Sequence, residues 1–174
     1  DIQESNKLEF VELLAHHLMV TAVAPQLAAF TSELREIISP AFLARWLTPL
    51  ELGVLIAGPL TIDVAEWRKY ARYGGLEASD DLVIWFWEHL EHDASEDERR
   101  ALLRFTTGRI SAPPTGFRSL SPRFQLTALG RDDSFLPVAH TCSHQLELPQ
   151  YGSKEVLVEK LRVAIANTRG FELA

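Results

Sequence analysis

The chain contains a single cysteine, Cys142, and a single methionine, Met19, among 174 residues. One thiol cannot close an internal disulfide and is too few for a thiolate metal cage, so a reducing compartment, cytoplasmic or nuclear, is expected. No unbroken apolar run reaches the ~18 residues of a membrane span. The opening letters DIQESNKLEF lack the basic-then-apolar order of a secretory signal, and no membrane partner is expected. No basic run interleaved with aromatics occurs, and the formal net charge is −7. That charge argues against nucleic acid, whose binding depends on Lys and Arg neutralising phosphates.

Several catalytic signatures are missing as well. There is no G-x-S-x-G elbow and no HExxH, and GRISAPPTG has neither the lysine nor the spacing of a phosphate loop. His89 with His92, and His140 with His144, are close in sequence but do not make a zinc motif, so neither metal nor cofactor is expected. Asp132-Asp133 and the run Glu96-Asp97-Glu98 read as a turn and a helix start rather than as paired acid and base. Trp85, Phe86 and Trp87 are too bulky and too clustered to be exposed together, and core packing is the expectation for them.

What is present in the first half is helical. Residues 7–24 carry apolar side chains at helical spacing (Phe10, Leu14, Leu18), with Pro25 expected to interrupt or kink the helix. Leu27, Phe30, Leu34 and Ile38 mark a second stripe. Ser39-Pro40 and Thr48-Pro49 open further helices, the latter with Glu51 completing a capping box. Asp63 with Glu66 caps a helix expected to run to Gly74-Gly75, and Ser79 is expected to open the next.

The texture then changes. HDASEDERR, at 92–100, is short, polar and acidic, and reads as a linker. Ser95 and Glu98 form another capping box ahead of a helix at 96–106. Beyond Gly108 comes a Gly/Pro/Ser loop, then alternating Phe124, Leu126 and Ala128, an extended FLPVAHT, and alternating Leu146 and Leu148, the pattern of strands. A helix capped by Ser153 follows. The expected class is therefore α+β: a mainly helical portion at 1–92, a hinge at 93–96, and a small α+β lobe at 97–174.

Cys142 lies in this second lobe with polar neighbours. If 140–142 is extended, His140 and Cys142 project to the same side, and a histidine within reach could hold or accept the thiol proton. Two readings stand at this point. One is a thiol enzyme with Cys142 as nucleophile. The other is a non-catalytic helical protein-interaction module with a buried structural cysteine.

The residues around Cys142 resemble the C-terminal lobe of HECT-type ubiquitin ligases. Leu136-Pro137, then His140-Thr141-Cys142, then Leu146-x-Leu148-Pro149-x-Tyr151-x-Ser153 follow the pattern that surrounds the thioester cysteine in that family. VIWFWEHL, LLRFTTG and LGVLIAGPLTIDVAEWRKYARY resemble its upstream segments in the same order, so the likeness covers essentially the whole chain, beginning partway into the family's N-lobe. After the cysteine the family often has an aromatic and an asparagine, where this chain has Ser143 and His144.

The resemblance implies that Cys142 accepts ubiquitin from a ubiquitin-conjugating enzyme and passes it to a substrate lysine, with no cofactor. It implies that His140 and Thr141 support the loop around the thioester, and that Phe10 and Leu14 dock the conjugating enzyme. Phe171, fourth from the end, would orient the transfer step. Partners are then ubiquitin, the conjugating enzyme, and protein substrates bound through regions outside this chain.

Overall fold

The computed structural model describes residues 2–168. Phe171 lies outside them. The chain divides into two compact units, Asp1–Leu52 and Gly53–Ala174.

The first unit is helical: α1 (Lys7–His16), a π-helical turn (His17–Thr21), α2 (Ala24–Ile37), α3 (Pro40–Trp46) and the start of α4 (Pro49–Ala57). Pro25 sits in the first turn of α2, where a fixed φ and a missing N–H cost nothing, so it opens a helix instead of breaking one. As a result Lys7–Ile37 is one helical stretch of 31 residues, long and apolar enough by length and composition to cross a membrane. The expectation of no such stretch counted only unbroken apolar letters. His16, His17, Thr21 and Gln26 break the run without adding a formal charge. None of these helices buries a side chain. The caps formed as read: Ser39 Oγ accepts from Phe42 N, and Thr48 and Glu51 close a reciprocal box.

The second unit contains α5 (Val64–Tyr70), β1 (Arg72–Gly74), α6 (Asp81–Glu88), a π-helical turn (His89–Asp93), α7 (Glu96–Thr107), β2 (Gln125–Leu129), β3 (Val138–His140), β4 (Gln145–Pro149) and α8 (Lys154–Thr168). The strands form a sheet in the order β1-β2-β4-β3. β1/β2 and β2/β4 are parallel, and β3/β4 is an antiparallel hairpin. Alternation along β2 and β4 turns Leu126, Leu146 and Leu148 inward to complete burial.

Five aromatic rings fill the centre. Trp67 stacks on Phe117 at 5.0 Å with the planes 4° apart, and meets Trp87 and Phe124 edge-on. Phe86 packs edge-on against Trp87. As expected, this aromatic run is core, although Trp85 is only partly covered.

One expectation is corrected. The helix begun by Asp63 stops at Tyr70, and Arg72–Gly74 is strand β1, extended because it pairs with Gln125–Thr127. The segment 93–96, expected as a hinge, lies within the second compact unit. Ala94 is buried in the same core as Trp67 and Leu146, and Glu96 Oε1 accepts from Ile62 N at 2.8 Å. The segment's charges are held within the unit. Glu98 pairs with His89 and Arg162, and Lys154 pairs with Asp93 and Glu88. Burial pushes the Glu98 carboxyl up, but the hydrogen bonds from Arg162 and His89 outweigh it and leave it below the ordinary range. His89 is buried.

Because Trp67 touches three of the other rings, Trp67→Ala is expected to destabilise the second unit by about 3–5 kcal/mol in urea unfolding. Trp67→Phe should cost clearly less, since the indole Nε1–H it removes has no hydrogen-bond partner among the described residues.

A candidate active site on a hairpin turn

β3 and β4 are joined by the four residues Thr141–His144, closed by the pairing of His140 with Gln145. Ser143 N donates to His140 O at 3.2 Å and His144 N to Thr141 O at 3.4 Å, so the backbone reverses within this loop. Cys142 sits on the turn and is exposed. The buried-cysteine reading is thereby removed: a thiol at the tip of a hairpin contributes nothing to a core.

The turn also corrects the expected geometry. The strand ends at His140, so alternation does not carry through to Cys142. His140 turns its Nε2 toward Glu147 Oε1 at 3.6 Å, which follows from the hairpin register, where Val138 faces Glu147 and His140 faces Gln145. Thr141 is exposed and supplies the carbonyl that receives His144 N.

His144, which the sequence offered only as a departure from a pattern, is the turn's anchor. It adopts φ 53°, in the left-handed region where His, Asn and Asp are among the better-tolerated non-glycine residues. Its side chain is 9% exposed, and Nδ1 lies 2.6 Å from Pro122 O. A carbonyl oxygen only accepts, so Nδ1 carries the hydrogen. His144 O in turn accepts from Gln125 N at 2.9 Å, tying the turn to the first residue of β2.

Other candidate residues lie apart from this turn. Phe10 and Leu14 share one face of α1 in the first unit, 40% and 42% exposed. Leu18, which continues the stripe, is exposed as well. A cleft of about 740 Å³ is lined by Asp80, Asp81, Trp85, Asp132, Asp133 and Tyr151 among others, and not by Cys142. The aspartates at 132 and 133 are turn-builders, as expected: Asp132 accepts from Ser134 N and Asp133 from Gly152 N. Burial, with the charge of Asp133, pushes the Tyr151 hydroxyl well up. Among the described residues no group of three or more His, Cys, Asp or Glu side chains could hold a metal ion.

The sequence matches the family model "HECT-domain (ubiquitin-transferase)" over residues 1–174. It is 39% identical over 176 residues to the E3 ubiquitin-protein ligase pub3 of Schizosaccharomyces pombe, covering 98% of this chain and 22% of that protein. Over 175 residues it is 38% identical to the E3 ubiquitin-protein ligase RSP5 of Emericella nidulans, again across 98% of this chain. With the human E3 ubiquitin-protein ligase HACE1 it shares 34% identity over 180 residues, or 99% of this chain and 20% of the relative. The chain thus spans about a fifth of the length of the curated relatives it matches.

The exposed position of Cys142 has a direct chemical consequence. Native protein treated with excess iodoacetamide is expected to take up one label per chain while its circular dichroism stays unchanged. Labelling that begins only in denaturant would contradict the exposure described here.

Proposed function

The chain belongs to the HECT-domain family of ubiquitin transferases, and we propose that Cys142 is the residue that carries ubiquitin between a ubiquitin-conjugating enzyme and a substrate lysine. The observation that carries this reading is the single thiol of the chain, exposed on a hairpin turn inside the matched domain.

The chemistry follows from a thiol alone. The Cys142 thiolate attacks the carbonyl of the conjugating enzyme's thioester. A new S–C bond forms, the old one breaks, and the enzyme's thiolate leaves. Thiol and thioester exchange is nearly isoenergetic, and with a thiol as leaving group no strongly lowered pKa is needed, so neither metal nor cofactor enters the step. In the second step a lysine amine attacks the same carbonyl, an amide forms, the amine gives up a proton, and Cys142 leaves as thiolate.

His140 and Thr141 take supporting roles in this scheme. Both flank the thiol, and Thr141 O receives one of the bonds that close the turn. Phe10 and Leu14 serve as a docking face for the conjugating enzyme, a role supported by their exposure on one side of α1. Phe171 orients the loaded thioester toward the acceptor. Protein substrates are held by regions outside this chain. The stretch Lys7–Ile37 is read as a protein-contacting face and not as a membrane span, because hydrocarbon would strand His16, His17 and Gln26 without water. A lone thiol fits a cytoplasmic or nuclear setting.

Two experiments on the full-length protein test the scheme. Cys142→Ala is expected to form no reducible ubiquitin adduct while melting within a degree or so of wild type; a thiol-reducible adduct on the alanine protein would overturn the assignment. Phe171→Ala is expected to charge normally but to discharge to free lysine at least about tenfold more slowly in single turnover, the cost of a lost orienting contact. Normal discharge would remove Phe171 from the mechanism.

A further inference from the structure

Three residues set the form of the Cys142 turn from outside it. Pro122 O accepts from the His144 ring, Gln125 N donates to His144 O, and Gln145 continues directly into β4. Cys142 itself is exposed, whereas His144, two positions later, is buried. A non-glycine residue in the left-handed region is strained by roughly 1–2 kcal/mol and stays there only where its surroundings hold it. Here the holding contact is a side-chain hydrogen bond of 2.6 Å to a backbone carbonyl in a different loop.

We propose that His144 is a positioning residue for ubiquitin transfer: its Nδ1–H bond to Pro122 O sets the direction in which the Cys142 turn presents its sulfur. This rests on the reading of Cys142 as the thioester site. The turn projects from the sheet like a bracket fixed at one side. On the β3 side, beyond the register pair His140–Gln145 and the contact of His140 with Glu147, the hydrogen bonds run from Ser143 back to His140 O. On the β4 side His144 fastens the turn to the loop at 122 and to β2. Without the bond to Pro122 O the turn keeps its hairpin hydrogen bonds and the backbone bond from Gln125 N, but it loses its tie to the loop at 122 and can tilt about the Gln125–His144 attachment. Thioester exchange needs the incoming carbonyl and the sulfur aligned to within a few tenths of an ångström, and such alignment is where looseness is felt first.

The bond can be tested by donor chemistry. In His144→Asn the carboxamide Nδ2 stands two bonds beyond Cβ, as Nδ1 does. It can donate to Pro122 O, and asparagine accepts the left-handed conformation. His144→Asp has nearly the same shape and the same backbone tolerance, but its carboxylate has no hydrogen to donate and faces the carbonyl with like charge. His144→Gly keeps the backbone conformation at no strain and deletes the side chain.

Each variant of the full-length protein would be mixed with a ubiquitin-loaded conjugating enzyme. The rate of the reducible Cys142 adduct would be followed in single turnover across conjugating-enzyme concentrations, with melting temperature and native iodoacetamide labelling measured alongside. The asparagine variant is expected within about twofold of wild type, and the aspartate and glycine variants at least about tenfold slower at saturating conjugating enzyme, the scale of one lost hydrogen bond. All should label fully and remain folded at the assay temperature. Charging by the aspartate and glycine variants as fast as wild type would overturn the inference, as would an asparagine variant as slow as aspartate. Losses that merely track a melting transition reaching the assay temperature would also overturn it, reducing His144 to a stabilising residue. A wild-type protein that forms no reducible adduct at all would defeat the assignment of Cys142 instead.

Discussion

The stack of Trp67 on Phe117 is the contact on which the second unit depends. It joins α5 to the loop ahead of β2, two segments that sequence distance would otherwise leave independent. Around it Trp87, Phe86 and Phe124 close a ring cluster that only edge-to-face and offset geometries can fill at native density. Glu66 reinforces the same junction: its carboxylate accepts from Phe117 N at 3.0 Å and lies so close to Gly116 that a Cβ there would sit 2.5 Å from both oxygens. Gly116, at φ 83°, is thus required by its backbone conformation, and a Cβ there would displace the Glu66 carboxylate from Phe117 N. With this junction in place Arg72–Gly74 meets Gln125–Thr127, β2 meets β4, and the hairpin that bears Cys142 is held at the sheet edge.

A second layer of order is electrostatic. The acidic stretch after α6 makes several bonds to distant residues. Glu96 receives Ile62 N, Arg100 reaches Leu60 O, Arg99 reaches Leu90 O, and Glu98 links buried His89 to Arg162 of α8. Lys154, at the start of α8, sits between Glu88 and Asp93; the hydrogen bond to it holds the Asp93 carboxyl below its ordinary range. These charges link α6, α7 and α8, and Ala94 beside them is buried in the hydrophobic core.

What the sequence made legible was local. Caps operate over three residues, and those at Ser39, Thr48, Asp63, Ser95 and Ser153 all formed. Ser79 was the exception, since Asp80 holds the cap position while its carboxylate receives Glu77 N. Alternation at Leu126, Leu146 and Leu148 was equally readable, because period two has no other use in a half-buried strand. What failed to show was long-range. β1 is three residues long and extended only through its pairing with β2. The 93–96 segment has the composition of a linker, and nothing in the letters near it shows that Ala94 is buried or that Glu96 accepts from Ile62 N. Cys142 stood out through the motif around it and not through any physical signal of its own. His144 could not be identified as an anchor at all, because neither its φ nor Pro122 O is encoded in the letters near it.

The sheet order β1-β2-β4-β3 makes the anchoring of the Cys142 turn depend on pairings of different sequence range. The β3/β4 hairpin is a local closure and can form within microseconds, whereas the parallel pairings of β4 with β2 and of β2 with β1 each require a long loop to close first. Gln125, which fastens His144, is itself fixed only when those pairings form. The hairpin that bears the thiol needs only a local closure, whereas the bond from Gln125 N to His144 O needs the non-local pairing of β2 with β4. A partly folded chain carries the sulfur without the alignment proposed for it, so on that proposal acyl transfer would require the native pairing of β2 with β4.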